Sequence, residues 1–97
     1  MKSKAECLNL LSHYYHNTAI RYGISRMALF GSVARNEQQD DSDVDIVYEG
    51  EANMLLRSRM KRELEEIFKC SVDLVRLRKS LSNSSFEKSI NGDLIYV

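Results

Sequence analysis

The sequence predicts an α/β (α+β) fold, and three observations carry that prediction. Short apolar runs of strand length alternate with longer segments whose apolar residues recur every three or four positions. Two of the strand candidates alternate apolar and polar residues, the pattern of a sheet with one buried face. Helix boundaries are marked by residues suited to them, Gly23 after the first helix and Asn53 before the second. Ninety-seven residues with 43% hydrophobic content match the size of one compact core, so residues 1–97 are read as a single domain.

The first helix is expected from about Ser3 to Tyr22, with Ala5, Leu8, Leu11, Tyr15 and Ala19 as its apolar stripe. His13 and His16 stand three residues apart on it, but a third metal ligand is missing nearby, so they read as ordinary helix histidines. Met27-Ala28-Leu29-Phe30 is a buried strand delivering its end to Gly31. Ser32 to Arg35 begins a short helix whose first N–H groups have no partner of their own. Asn36 to Ser42 is a polar connector. Asp43 to Glu49 is the second strand, with Val44, Ile46 and Tyr48 on its core face and Asp43, Asp45, Val47 and Glu49 on the other.

Asn53 caps a helix running to Lys69, with Leu56, Met60, Leu64, Ile67 and Phe68 as its buried stripe. Ser71 to Leu77 is a third strand, with Val72 and Leu74 on one side and Asp73 and Val75 on the other. Asp73 reads as an acid set in an apolar strand, and a buried lone carboxylate needs a partner. Within the chain, Arg76 or Arg78 offers such a partner in a salt bridge. After the polar stretch Ser80–Ser85, Ser84 and Glu87 form a capping-box pattern for a last helix packed through Phe86 and Ile90. Leu94 to Val97 is a final short strand or tail.

Charge narrows the function. The formal net charge is zero, which argues against stable nucleic-acid binding through phosphate neutralisation. From Asn36 to Leu56 there are seven acidic residues and no Lys or Arg; from Arg57 to Lys79, eight basic residues face four acidic ones. The first stretch suits cations, and the second suits phosphates or an acidic partner. Cys7 and Cys70 lack metal spacing, and the sequence carries neither a signal peptide nor a membrane-length apolar run. Reduced thiols in a cytoplasmic protein are therefore expected.

The candidate site lies between Gly31 and Tyr48. Asp43 and Asp45, two apart on a strand, project to one side and repel each other unless a positive charge sits between them. A divalent cation answers that need. The Gly31-Ser32 turn offers N–H groups and a hydroxyl to a phosphate. Arg35 is placed to reach a phosphate or the acidic loop, or to serve only as a surface residue. A bland alternative for Asp-x-Asp is a solvent-facing strand edge whose charges oppose aggregation.

Gly31-Ser32-Val33-Ala34-Arg35, six residues, then Ser42-Asp43-Val44-Asp45-Ile46 resembles the signature of the DNA polymerase β-like nucleotidyltransferases, in the form seen in the minimal nucleotidyltransferase (MNT) branch. It departs from that pattern at Asn36 and Asp40, neither of them a metal-ligand position. The resemblance implies a nucleotidyltransferase-type small mixed sheet packed with helices. It implies two magnesium ions on Asp43 and Asp45, with Asp73 completing the site, and ATP held at Gly31 and Ser32, with Arg35 alongside. It also implies transfer of AMP to a hydroxyl of a partner protein, a HEPN-domain ribonuclease toxin, for which this chain acts as antitoxin. Alternatives are an antitoxin that works by contact alone, an enzyme modifying a small molecule or an RNA end, and a structural subunit. At this length, part of the substrate surface is expected from a second copy or a partner.

Overall fold

The computed structural model describes residues 3–35, 43–77 and 94–97. The elements are α1 (Lys4–Asn17), a short 3-10 turn (Ala19–Tyr22), β1 (Arg26–Phe30), α2 (Gly31–Ala34), β2 (Val44–Glu49), α3 (Met54–Phe68), β3 (Val72–Leu77) and β4 (Ile95–Tyr96). The predicted linker, capping box and last helix at Ser80–Gly92, the Asn36–Ser42 connector and Arg78 lie outside the described residues.

Helix α1 opens with a full capping box: Glu6 N–H donates to Ser3 Oγ, and Ser3 N–H to Glu6 Oε1. It ends at Asn17, short of the expected Tyr22, because the chain turns at Thr18 and tightens into the 3-10 turn before Gly23 takes the left-handed conformation. Its buried stripe is also rotated from the expected one. Cys7, Leu11 and Tyr14 are buried, Leu8 and Tyr15 half-buried, and Ala5 exposed. Cys7 therefore acts as a small core hydrophobe. His13 and His16 are exposed, and Asn17 Nδ2 lies 3.3 Å from His13 Nδ1.

Helix α3 is capped as expected, Asn53 Oδ1 accepting from Leu56 N–H at 3.0 Å. Met60, Leu64 and Phe68 are buried, with Leu56 and Ile67 packed at their margin. It closes on Lys69 in the left-handed region, whose N–H donates to the Glu65 carbonyl.

The sheet is mixed, in the order β3-β2-β1-β4. β1 is antiparallel to β2 and β4, whereas β2 and β3 are parallel, joined over α3. Residues 94–97 therefore supply a paired edge strand, with Ala28 opposite Tyr96 and Leu29 opposite Ile95. The main core lies between one sheet face and helices α1 and α3, and takes Met27, Leu29, Val44, Ile46, Tyr48, Val72 and Leu74 from the strands. The other face was expected to be polar, yet it carries its own small cluster. Ala28, Val47 and Leu77 are buried there, with Phe30, Val75 and Leu94 against them. Val47 is thus a second-face core residue.

Helix α3 also fastens the outer edge of the sheet. Arg57 donates through Nε and Nη2 to the Leu74 carbonyl at 3.1 and 2.7 Å, and Glu65 Oε2 accepts from Val72 N–H at 3.1 Å. These bonds satisfy backbone groups on an edge that otherwise invites pairing with another chain. A second clasp joins α3 to α1. Glu63 accepts from Tyr14 Oη at 2.8 Å and from Tyr22 Oη at 3.1 Å. Burial first, then the bond to Glu63, holds the Tyr14 phenol well above the ordinary tyrosine range.

Asn53→Ala removes the acceptor of Leu56 N–H and should cost about 1 kcal/mol. Urea denaturation checks this, and an unchanged midpoint would show that the cap contributes nothing.

Candidate active site

The site follows from strand register. Phe30, the last residue of β1, stands opposite Asp45 on β2, and Asp45 is paired with Asp73 on β3. Directly paired residues project to the same face, about 5 Å apart at Cβ. Asp43, just ahead of β2, is two positions from Asp45 and exposed; Asp45 is half-buried and Asp73 exposed. Three carboxylates thus gather at one end of the sheet, on the face opposite the main core.

Asp73 was expected to be a buried acid needing a partner. It is exposed, because β3 is the edge strand, so burial is not what makes it notable. Its cross-strand position beside Asp45 is. The alternative of an Arg76 salt bridge is not what forms: Arg76 Nη1 donates to the Gly50 carbonyl at 3.1 Å.

The electrostatics agree with the register. The Asp45 carboxyl is pushed above the ordinary aspartate range, first by burial, then by the charges of Asp73 and Asp43, while Arg35 opposes the shift. Arg35 is exposed just after α2, and its charge is felt at Asp45.

Gly31 is built into this site in a way the sequence did not reveal. Its φ is +75°, a region where side chains are strained. A Cβ placed on it would overlap Asp45 Oδ2 and lie 3.0 Å from Asp45 Cγ. The glycine thus lets the turn rest directly against the carboxylate. Gly31 to Ala34 form a single helical turn, closed by Arg35 N–H donating to the Gly31 carbonyl at 3.1 Å. Ser32 is half-buried in it, next to Gly31. The first N–H groups of such a turn have no acceptor within it.

Three carboxylates gathered here, two of whose charges raise the proton affinity of Asp45, all with hard oxygen donors, suit a hard divalent cation. Among the described residues no three acidic, histidine or cysteine side chains form a ready-made cage. Magnesium binds through one or two carboxylates together with phosphates and water, so an open carboxylate cluster fits it.

Comparison with known proteins places the chain in a family. Residues 15–97 match the family model described as polymerase beta, nucleotidyltransferase. Protein adenylyltransferase MntA of Thermococcus cleftensis is 30% identical over 99 residues, covering 100% of this chain and 98% of that protein. A solved protein provisionally classed as a minimal nucleotidyltransferase superposes with a TM-score of 0.66 at 30% identity, over 95% of this chain and 89% of the other. A chain of a toxin–antitoxin complex solved with AMP-PNP shares the fold, with a TM-score of 0.57 at 24% identity, over 80% of this chain and 60% of its own length. This chain belongs to the polymerase β nucleotidyltransferase family, in its minimal nucleotidyltransferase branch.

Proposed function

We propose that this chain transfers AMP from ATP to a side-chain hydroxyl of a partner protein, a HEPN-domain toxin, and so silences it as its antitoxin. The observation that carries the reading is the register pairing Asp45 with Asp73, with Asp43 alongside and the Gly31 turn resting on Asp45. The adenylyltransferase relative supports the reaction, and the toxin–antitoxin neighbour with its bound ATP analogue gives precedent for the setting.

The roles follow from position. The N–H groups of the Gly31-Ser32 turn and the Ser32 hydroxyl hold the β- and γ-phosphates, and Arg35 adds a positive charge beside them. Asp43 and Asp45 would hold two magnesium ions, with Asp73 completing one of them. Magnesium supplies charge neutralisation at the α-phosphate and a more acidic hydroxyl. The acceptor oxygen attacks the α-phosphorus, the bond between that phosphorus and the bridging oxygen to the β-phosphate breaks, and pyrophosphate leaves. Asp73 is exposed at the sheet edge and would take the hydroxyl's proton. Exposure serves that role, because the acceptor belongs to another molecule and must reach the carboxylate.

Three outcomes check this reading. Intact-mass analysis of co-purified proteins, before and after incubation with ATP and magnesium, should show a partner gaining one or more AMP units. Asp43→Asn with Asp45→Asn should reduce that gain by more than about a hundredfold while circular dichroism stays that of the folded wild type. Transfer surviving in the folded double variant would remove the carboxylates from the mechanism.

Gly31→Ala tests the turn. Its Cβ must displace the Asp45 carboxylate, and a misplacement of about 1 Å at a catalytic group costs on the order of a hundredfold. Transfer should fall by at least roughly tenfold, with a lowered melting temperature from the strained φ. Wild-type rates would refute the contact.

Stability should respond to pH in a defined direction. The folded pKa of Asp45 is raised, so the folded state binds the proton more tightly than the unfolded chain does. Stability without metal therefore falls as pH rises from the ordinary aspartate range through the raised folded value. Asp45→Asn should flatten that fall and match or exceed wild-type stability at neutral pH in EDTA. Parallel wild-type and variant curves from thermal melts across this range would contradict the shift.

A further inference from the structure

Among the described residues, the Asp73 carboxylate has neither a hydrogen-bond nor an ion-pair partner. Its position is therefore set by the β3 backbone, against the like charge of Asp45 beside it. β3 is an outer strand, with β2 on one side, and Asp73 is its second residue. A strand end of this kind frays readily, and moving away from β2 would relieve the repulsion.

Two side chains of α3 stand against that movement. The Ser71 carbonyl accepts from Val44 N–H at 3.0 Å, so by alternation Asp73 turns its own peptide groups toward β2, and Val72 and Leu74 turn theirs outward. Those two residues are the ones α3 holds. Glu65 Oε2 accepts from Val72 N–H at 3.1 Å, and Arg57 donates through Nε and Nη2 to the Leu74 carbonyl at 3.1 and 2.7 Å. Arg57, Lys61 and Glu65 recur every fourth residue as a half-buried stripe along α3, and Lys61 Nζ lies 3.6 Å from Glu65 Oε2. The stripe borders Met60, Leu64 and Phe68, whose burial fixes the helix against the sheet. Protection of the edge from pairing with another chain would be served by holding any outward peptide. Here the two that are held flank Asp73.

We propose that Glu65 and Arg57 are positioning residues that pin the peptides on either side of Asp73 and so keep its carboxylate beside Asp45. Both act through the β3 backbone, and the consequence for catalysis rests on the transfer reaction proposed for this chain. Without Glu65, the amino end of β3 loses its outer tether where the repulsion acts. Asp73 then spends part of its time away from Asp45, and turnover falls. The Gly31 turn follows β1, so nucleotide binding is unaffected.

The test reads backbone opening without metal or nucleotide. Amide hydrogen exchange of the full chain, followed by NMR, is scored at Val44, whose N–H is held by the Ser71 carbonyl next to the amino end of β3. Glu65→Ala should speed exchange there about tenfold, as expected for one lost charged hydrogen bond, and leave the β1–β2 ladder amides unchanged. Glu65→Gln, whose amide oxygen still accepts from Val72 N–H, should restore protection. Asp73→Asn added to Glu65→Ala should restore it as well, because the repulsion is gone; a merely structural bond would not respond. Glu65→Asp keeps the charge but shortens the reach, and serves in place of Glu65→Ala should that variant not fold. In transfer assays, Glu65→Ala should lower kcat about tenfold with the KM for ATP unchanged. Unchanged exchange at Val44, fast exchange that Asp73→Asn fails to slow, or an unmoved kcat would each overturn the proposal. Exchange behaving as stated in a chain that transfers nothing would uphold the clamp and remove the reaction alone.

Discussion

Everything at the carboxylate end of the sheet depends on one unfavourable interaction being held in place. Asp45 and Asp73 are cross-strand neighbours carrying the same charge, with Asp43 close by. Two unit charges about 5 Å apart, at an effective dielectric of about 20, repel by about 3 kcal/mol, and solvent screening at the exposed edge reduces this. The fold tolerates that repulsion because the two strands are joined by backbone pairing along their full lengths, from Val44 with Val72 to Glu49 with Leu77. Parallel pairing over six residues sets the carboxylates side by side whether or not they attract. Their mutual repulsion is then available to any cation that arrives, since binding relieves it.

The rest of the molecule can be understood as the means of fixing that register. A one-residue slip of β3 would turn Asp73 to the helix-covered face and Val72 and Leu74 out of it. Two kinds of contact oppose the slip. Val72 and Leu74 are buried beneath α3, and the same helix holds their outward backbone groups through Glu65 and Arg57. The clasp of Glu63 by Tyr14 and Tyr22 in turn ties α3 to α1. Gly31 completes the frame from the opposite side, because its missing side chain lets the β1 turn lie on Asp45. The register that sets the carboxylates side by side is therefore fixed in part by α3, through the backbone of β3.

Much of this was legible in the sequence, and what was not has identifiable causes. Helices, strands and caps follow from periodicity and from single residues such as Asn53 and Gly23. The Asp-x-Asp pair could be placed on one face because strand periodicity is strict. Strand order and register are long-range facts, so the Asp45–Asp73 pairing could be reached only through family resemblance, and burial misled the residue-level reading of Asp73. An edge strand exposes what a central strand would bury. The same limit hid the second apolar cluster: Val47 read as an outward residue, but its burial depends on Ala28, Leu77 and Leu94, far apart in sequence. The Tyr14–Glu63 clasp was invisible for that reason too, joining residues 49 positions apart.

The carboxylate cluster is open, exposed at Asp43 and Asp73, and built on a sheet edge. On the proposed reaction, an acceptor hydroxyl reaches it from outside without passing through a cleft. Effective concentration at the cluster then has to come from the way the partner is held against this chain. An open edge thus ties the choice of acceptor to the contact between two molecules, where an enclosed site would tie it to the shape of a pocket.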